Sequence, residues 1–357
     1  MTGTGSTLCR HFGTCGGCAY QDMPDDAYRA LKKASVVDAL ERHGFAEHAI
    51  DEIIEVAPGT RRRAAFKAAK VHGVVELGFH AAGSHAIVDM QECRVVTPTL
   101  LALVAGLRAM MVDLLDDGQK AELFVTETQN GADVAIRWSR AITTTITSAA
   151  ARWAQRLKLA RLSANGEPLI ELAPPVVTFG KAKVTLPFDA FLQPTEEGEA
   201  VLQAKVLAGT KGAKAIVDLF AGAGTFALTL AQGARVHAVE TERSALDALA
   251  AAARATSGLK PVTVEKRDLF KVPLGTLELA KFDAVVLDPP RVGANTQAKE
   301  LANSKIRRIV YVSCNPQSFA RDARTLVDGG YRMGTITPVD QFLWSSHIEL
   351  VAAFTRD

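Results

Sequence analysis

Apolar positions recur in two rhythms along the 357-residue chain, and the change of rhythm divides it. In DAYRALKKASVVDALERHGF (26–45) they return every three to four positions until Gly44, the pattern of an amphipathic helix with a glycine stop. LLALVAGLRAMMVDLL (100–115) is nearly continuous but broken by Arg108 and Asp113, so it predicts a core helix and not a membrane span. AELFVTETQ (121–129) and ADVAIRWSR (132–140) alternate with period two around Asn130-Gly131, which predicts a β-hairpin. TITSAAARWAQRLKL (145–159) returns to helical spacing.

From about residue 190, short buried-strand runs alternate with helical stretches: AIVDLF (215–220), RVHAVE (235–240), PVTVEKRD (261–268), FDAVVLD (282–288) and RRIVYVSC (307–314). Strands separated by helices predict βαβ units in a doubly wound, mostly parallel sheet. The expected fold class is α/β, with a Rossmann-like domain over 188–357 behind an N-terminal and central α+β region over 1–187. The boundary falls in the Pro174-Pro175 to Pro187 stretch, and the helix at 26–45 is free to pack on the C-terminal half. The last run, VDQFLWSSHIELVAAFTR (339–356), reads as strand-like, which would set His347 and Glu349 on one face. The tip MTGTGST is expected to be unordered.

Composition refines this picture only slightly. The chain is 48% hydrophobic and 22% charged, as a globular protein with a sizeable core would be. A formal charge of +2 neither requires nor excludes a polyanionic partner, because local patches decide. One such patch is GTRRRAAFKAAK (59–70), where Arg61, Arg62, Arg63, Lys67 and Lys70 form either a solvated face or a phosphate-binding strip. No basic-then-apolar signal segment opens the chain, so a cytoplasmic protein without membrane association is expected, monomeric by default. Thiols stay reduced there, and the grouping of Cys9, Cys15 and Cys18, with Cys93 in MQECRVV, points to metal rather than disulfides. Four thiolates fit zinc or a [4Fe–4S] cluster. The spacing is neither that of a zinc ribbon nor that of the radical S-adenosylmethionine pattern.

The first C-terminal strand leads into VDLFAGAGTFALTLA (217–231), whose small residues let the backbone approach a ligand just before a helix. Glu240 ends the next strand, placed to accept hydrogen bonds from ribose hydroxyls. Gly222, Gly224 and Ala227 also fit a dinucleotide pattern, so this stretch alone does not separate NAD from S-adenosylmethionine. Asp268, after a third strand, would face an adenine or cap a helix. LDPPRVG (287–293) puts Asp288 at a strand's carboxyl end, where open α/β sheets bind ligands. Asp-Pro-Pro in this place marks methyltransferases acting on planar nitrogen rings, although Arg291 stands where an aromatic would stack on adenine.

VYVSCNP (310–316) places Cys314 at the end of the fifth strand, and Glu349 lies in an otherwise apolar run. A buried carboxylate has a raised pKa and suits proton transfer. With a methyl donor, these two residues make a kit for carbon 5 of uracil. A thiolate adds to carbon 6, carbon 5 attacks the methyl group, and a base removes the carbon-5 proton.

These motifs, together with the N-terminal cysteines, FLQPTEEGE (191–199), AVE and HIE, resemble the bacterial RNA (uracil-5-)-methyltransferase family, over nearly the whole chain. The resemblance implies a class I methyltransferase domain, S-adenosylmethionine as cofactor, Cys314 as nucleophile and Glu349 as base. It further implies Gln193, Phe220, Gly222, Gly224, Thr225, Glu240, Asp268 and Asp288 at the cofactor or beside it. Thr225 stands where many members have asparagine, and Pro194 replaces a small or branched residue. Members with this cysteine pattern carry a [4Fe–4S] cluster, so the resemblance implies Cys9, Cys15, Cys18 and Cys93 as its ligands. Many members start with a small RNA-binding barrel, whereas this chain begins at the cysteines. The implied partner is RNA, 23S ribosomal RNA ahead of transfer RNA. The competing readings are a 5-methylcytosine enzyme, an NAD-linked iron–sulfur oxidoreductase, and a non-catalytic iron–sulfur RNA-binding protein.

Overall fold

Residues 8–357 are described by the structure, a computed structural model, and the tip MTGTGST lies outside them. The chain runs through helix α1 (Asp25–Arg42), strands β1 (Ile54–Glu55), β2 (Arg63–Val71), β3 (Val74–His80) and β4 (Ile87–Asp89), and helix α2 (Pro98–Leu114). The hairpin β5 (Lys120–Thr128) and β6 (Gly131–Trp138) follows, then α3 (Thr144–Leu157), β7 (Arg161–Ala164) and β8 (Glu167–Glu171). The central strands form a seven-stranded sheet in the order β4-β3-β2-β5-β6-β7-β8. Its even-numbered β2 side chains, Ala64, Phe66 and Ala68, are buried under α2 and α3. The hairpin is as the sequence predicts, with Thr128 paired to Gly131. Gly131 takes φ +118°, and a Cβ there would meet the carbonyl oxygen of Lys158 at 2.8 Å, so glycine is required on both counts.

A second hairpin, β9 (Val176–Phe179) and β10 (Ala182–Thr185), precedes α4 (Glu196–Gly209). Its Val177, Phe179, Ala182 and Val184 pack into the core of the C-terminal half. There β11 (Ala215–Leu219), α5 (Ala227–Leu230), β12 (Arg235–Glu240), α6 (Arg243–Ala255), β13 (Val262–Lys266), α7 (Thr276–Leu279) and β14 (Ala284–Leu287) alternate. They are followed by α8 (Asn295–Asn303), β15 (Arg308–Ser313), α9 (Pro316–Asp328), β16 (Arg332–Met333), β17 (Thr337–Asp340) and β18 (Glu349–Thr355). The sheet order is β1-β17-β18-β15-β14-β11-β12-β13, with β16 paired to β18. Strands β11 to β15 run parallel, and β18 runs antiparallel to β15. This is the mixed α/β methyltransferase architecture. Its strand order reverses between β11 and β14, where such sheets bind ligands beyond their carboxyl ends.

The expected strand over 339–356 is a correction. It is two strands, β17 and β18, separated by a loop from Gln341 to Ile348. Trp344 turns that loop with φ +57°, a left-handed conformation costly for a bulky residue. His347 therefore sits in the loop and shares no strand face with Glu349. The halves meet along a seam that α1 and β1 cross. Val36, Ala39 and Leu40 of α1 join the core around β15 and β18, and β1 pairs with β17. Among the described residues, no helix is long and apolar enough to cross a membrane.

Candidate active site

Cys314 and Glu349 are brought together by one ladder. In the antiparallel pair β15–β18, Ser313 faces Leu350. The same register carried one residue further sets Cys314 opposite Glu349, where directly facing side chains interact. The Glu349 carboxyl is buried, 3% exposed, and its Oε2 has no hydrogen-bond partner. Burial, then the neighbouring Asp288, pushes its pKa well above the ordinary carboxylate range. Burial, then Glu349 and Asp288, pushes the Cys314 thiol up to about 12, while Arg291 pulls it down. Both shifts favour the protonated forms in the free protein.

The other strand ends add further carboxylates. Asp288 accepts from Gln193 Nε2 at 3.1 Å, and Gln193 Oε1 accepts from Gln341 Nε2 at 2.8 Å. Asp218, in β11, is buried with no hydrogen-bond partner for either oxygen. Burial raises Asp288 and Asp218, and the charges of Asp288 and Glu240 raise Asp218 further. Glu240 is held in place by backbone amides, from Gly222 at 3.0 Å, Thr241 at 2.6 Å and Glu242 at 3.1 Å. Phe220 takes φ +61° and touches the Phe270 ring at 5.5 Å. Gly224 takes φ +105°, and a Cβ there would meet Leu228 and Leu249 at 2.9 Å. Asp268 accepts from the Phe270 amide at 3.0 Å and pairs with Lys271, so its carboxylate caps its own turn. Thr225 offers its carbonyl to Gln203 and to Thr229. At the switch point this leaves three buried carboxyl groups, Asp218, Asp288 and Glu349, whose charged forms burial disfavours.

Cys314 opens into a cavity of about 520 Å³ that Arg291, His347, Phe342 and Arg61 also line. The same cavity is lined by Cys9, Cys15, Cys18 and Cys93. Burial raises Cys15, Cys18 and Cys93, and the neighbouring cysteines raise each of them further. The expected metal centre finds no support in the geometry: among the described residues, no group of three or more His, Cys, Asp or Glu is placed to hold a metal ion. The four thiols share a cavity without forming a ligand shell. The cysteine segment is tied to both halves of the protein. The Gly16 amide donates to the His80 carbonyl at 2.9 Å, and those of Ala19 and Tyr20 donate to the Trp344 carbonyl at 2.6 and 3.1 Å.

The basic strip is not one surface. Strand alternation turns Arg62 to the buried side, where it donates to the Gln193 carbonyl, Glu196 and Glu199 at 3.2, 3.2 and 2.7 Å. Lys67 pairs with Glu122. Lys70 donates to the carbonyls of Val112 and Leu115 at the end of α2, at 2.7 and 2.9 Å. Arg61 and Arg63 remain directed to the seam, with Arg63 donating to the Leu192 carbonyl at 2.7 Å.

Sequence reasoning missed a buried knot. Lys32 on α1, 2% exposed, donates to Asp340 Oδ1 at 2.9 Å, to the Phe342 carbonyl at 3.4 Å and to the His347 carbonyl. Tyr28 donates to Asp340 Oδ2 and accepts from the Trp344 amide at 2.8 Å. This knot fixes the loop that brings Phe342 and His347 to the cavity. The available signal was a lysine in the apolar stripe Tyr28, Lys32, Val36 and Ala39. Asp218 and Gln341 gave no such signal, because single polar residues in apolar runs are common.

The profile of the tRNA (Uracil-5-)-methyltransferase family matches residues 182–356. An uncharacterized RNA methyltransferase of Agrobacterium fabrum is 45% identical over 98% of this chain and 85% of its own. A 23S rRNA (uracil(1939)-C(5))-methyltransferase of Chromohalobacter salexigens is 33% identical over 98% of this chain and 76% of its own. Among solved structures, the Pyrococcus abyssi tRNA (uracil-54, C5)-methyltransferase in complex with S-adenosyl-L-homocysteine has a TM-score of 0.72. It covers 95% of this chain and 86% of that one at 22% identity, a likeness of fold.

Proposed function

The chain belongs to the RNA (uracil-5-)-methyltransferase family, and from that premise we propose that it methylates carbon 5 of a uridine in RNA, in 23S ribosomal RNA ahead of transfer RNA. The ribosomal preference is supported by the likeness to the Chromohalobacter enzyme. The chemistry is supported by the β15–β18 register, which carried one residue past Ser313–Leu350 brings Cys314 opposite the buried Glu349.

S-adenosylmethionine, when bound, supplies a methyl group on a positively charged sulfur. The buried carboxylates fit such a cation, since Asp218, Asp288 and Glu349 repel one another. Gln193, Phe220, Gly222, Gly224, Thr225, Glu240, Asp268 and Asp288 are assigned to it, with Glu240 toward the ribose hydroxyls. The Cys314 thiolate bonds to carbon 6 of uracil, and the ring electrons move toward carbon 5 and the carbon-4 oxygen. Carbon 5 takes the methyl group as the carbon–sulfur bond of the donor breaks. The Glu349 carboxylate then takes the carbon-5 proton, the ring double bond re-forms, and the thiolate leaves. A carboxylate in apolar surroundings is a stronger base than one in water. Arg291 favours the thiolate.

We assign Cys9, Cys15, Cys18 and Cys93 to a [4Fe–4S] cluster. The donor set fits, because four thiols line one cavity and repel one another there. A single tetrahedral zinc would need sulfurs about 3.8 Å apart, from Zn–S bonds of about 2.3 Å. A cuboidal cluster holds its four sulfurs farther apart than that. The segment up to about residue 173 is read as the cluster and RNA-gripping region, apart from α1 and β1, and the catalytic domain takes in the β9–β10 hairpin as well as residues 188–357.

The test is incubation with radiolabelled S-adenosylmethionine and RNA from a strain lacking the gene, followed by nucleoside analysis. 5-Methyluridine is expected. Its absence from both ribosomal and transfer RNA would overturn the assignment. Iron and sulfide analysis of the purified protein checks the cluster.

A further inference from the structure

A second cavity, of about 240 Å³, adjoins the one that holds Cys314, and both are lined by Arg61, Ala65 and Phe342. It lies where the open face of β2 and β5 meets the segment 186–194. Two aromatic rings furnish it. The Arg137 guanidinium stands 4.5 Å from the Phe124 ring, and that of Arg63 stands 5.0 Å from the Phe191 ring. Phe191 is 62% exposed, an unusual state for a phenylalanine beside a cavity.

The charges in this cavity are unevenly matched. Its two carboxylates are neutralised: Asp133 by Arg161 at 2.9 and 2.6 Å, and Asp189 by Arg137. Arg61 and Arg63 are not. Among the described residues, Arg61 donates to the Arg63 carbonyl and Arg63 to the Leu192 carbonyl, and no carboxylate bridges either one. Both are half-buried and held below the usual arginine range chiefly by burial, Arg63 also by Arg61, while Asp189 acts the other way on Arg63 without bridging it. A half-buried guanidinium with no carboxylate in contact is poorly compensated. Two of them beside stacking rings match a nucleotide, with its phosphate on the arginines and its base on an aromatic face.

We propose that this cavity is a second nucleotide subsite, in which Arg61 and Arg63 hold the phosphodiester joining the target uridine to one neighbour and Phe124 or Phe191 stacks the neighbour's base. The inference rests on the reading that the Cys314 cavity takes the target uridine. It adds that the enzyme reads a dinucleotide step, and that an RNA lacking the neighbouring base is bound more weakly.

The experiment is equilibrium binding of fluorescein-labelled hexauridylate to the full-length protein, without S-adenosylmethionine, over a range of salt. Arg63→Gln is expected to weaken binding and to flatten the dependence of log K on log salt by about 0.7, the single-strand value for one phosphate. Phe124→Ala, on the open sheet face, is expected to cost about tenfold with the salt slope unchanged. That cost should vanish on a hexamer whose single uridine has an abasic neighbour on one side. Unchanged affinity and slope in both variants, or no hexauridylate binding by the wild type, would overturn the subsite. If Arg63→Gln does not fold, Phe124→Ala and Phe191→Ala, each with the abasic hexamers, decide, and unchanged affinity in both overturns the subsite. Absence of 5-methyluridine in the labelling experiment would overturn the methylation reading without altering these binding outcomes.

Discussion

Cys314 and Glu349 work against their environment, and pH exposes this. Both pKa values are raised, chiefly by burial, yet the proposed chemistry uses the thiolate and the carboxylate. Methylation rate under limiting RNA is therefore expected to rise from pH 6 to 9, and a flat profile would count against ionisation of either group. Cys314→Ala should abolish turnover, and Glu349→Gln should accumulate a covalent protein–RNA adduct on a denaturing gel. Asp288 gives a stability effect whose sign can be worked out. Its folded pKa lies above the unfolded one, so the folded state binds more protons between those values and loses stability as pH rises through them. Asp288→Asn should thus raise the melting temperature relative to wild type more at pH 8 than at pH 5. In the sequence Cys314 and Asp288 stand out as reactive types at strand ends, and Glu349 as a carboxylate in an apolar run. Asp218 does not, since its isolation comes from neighbours distant in sequence.

The loop from Gln341 to Ile348 is the element on which the site turns, and α1 holds it. Lys32 and Asp340 form a buried ion pair, 2% and 0% exposed. Removing one partner leaves a buried charge, at about 3–5 kcal/mol, whereas replacing both with apolar residues often restores stability. Lys32→Met should therefore lower the melting temperature strongly, and Lys32→Met with Asp340→Leu should recover much of it. The double variant is still expected to methylate slowly at saturating RNA, because the Phe342 and His347 carbonyls have lost their donor. Full recovery of rate with stability would show that the pair only supports the fold. Parallel strands and helices were readable from periodicity, and the β5–β6 hairpin from its Asn-Gly turn. The loop was not, because its apolar residues mimic a strand and its turn is made at Trp344 rather than at a glycine.

Across the whole molecule, the cysteine segment fastens the central sheet at His80 to the catalytic loop at Trp344. Cys18→Ser or Cys93→Ser should speed hydrogen exchange at the Ala19 and Tyr20 amides while leaving β11 protected. Equal protection in the variants would mean that the cysteines do not hold this segment. The seam itself was invisible in the sequence, where Arg62 reads as one more basic residue rather than the partner of Glu199. The knot between Tyr28 and Asp340 spans 312 positions. At a synthesis rate of about 5–20 residues per second, the first helix waits roughly 15 to 60 s for its partner. Until then Lys32 has no counter-ion and the loop leading to Glu349 does not exist. The loop that sets Phe342 and His347 at the cavity is therefore among the last parts of the molecule to be fixed.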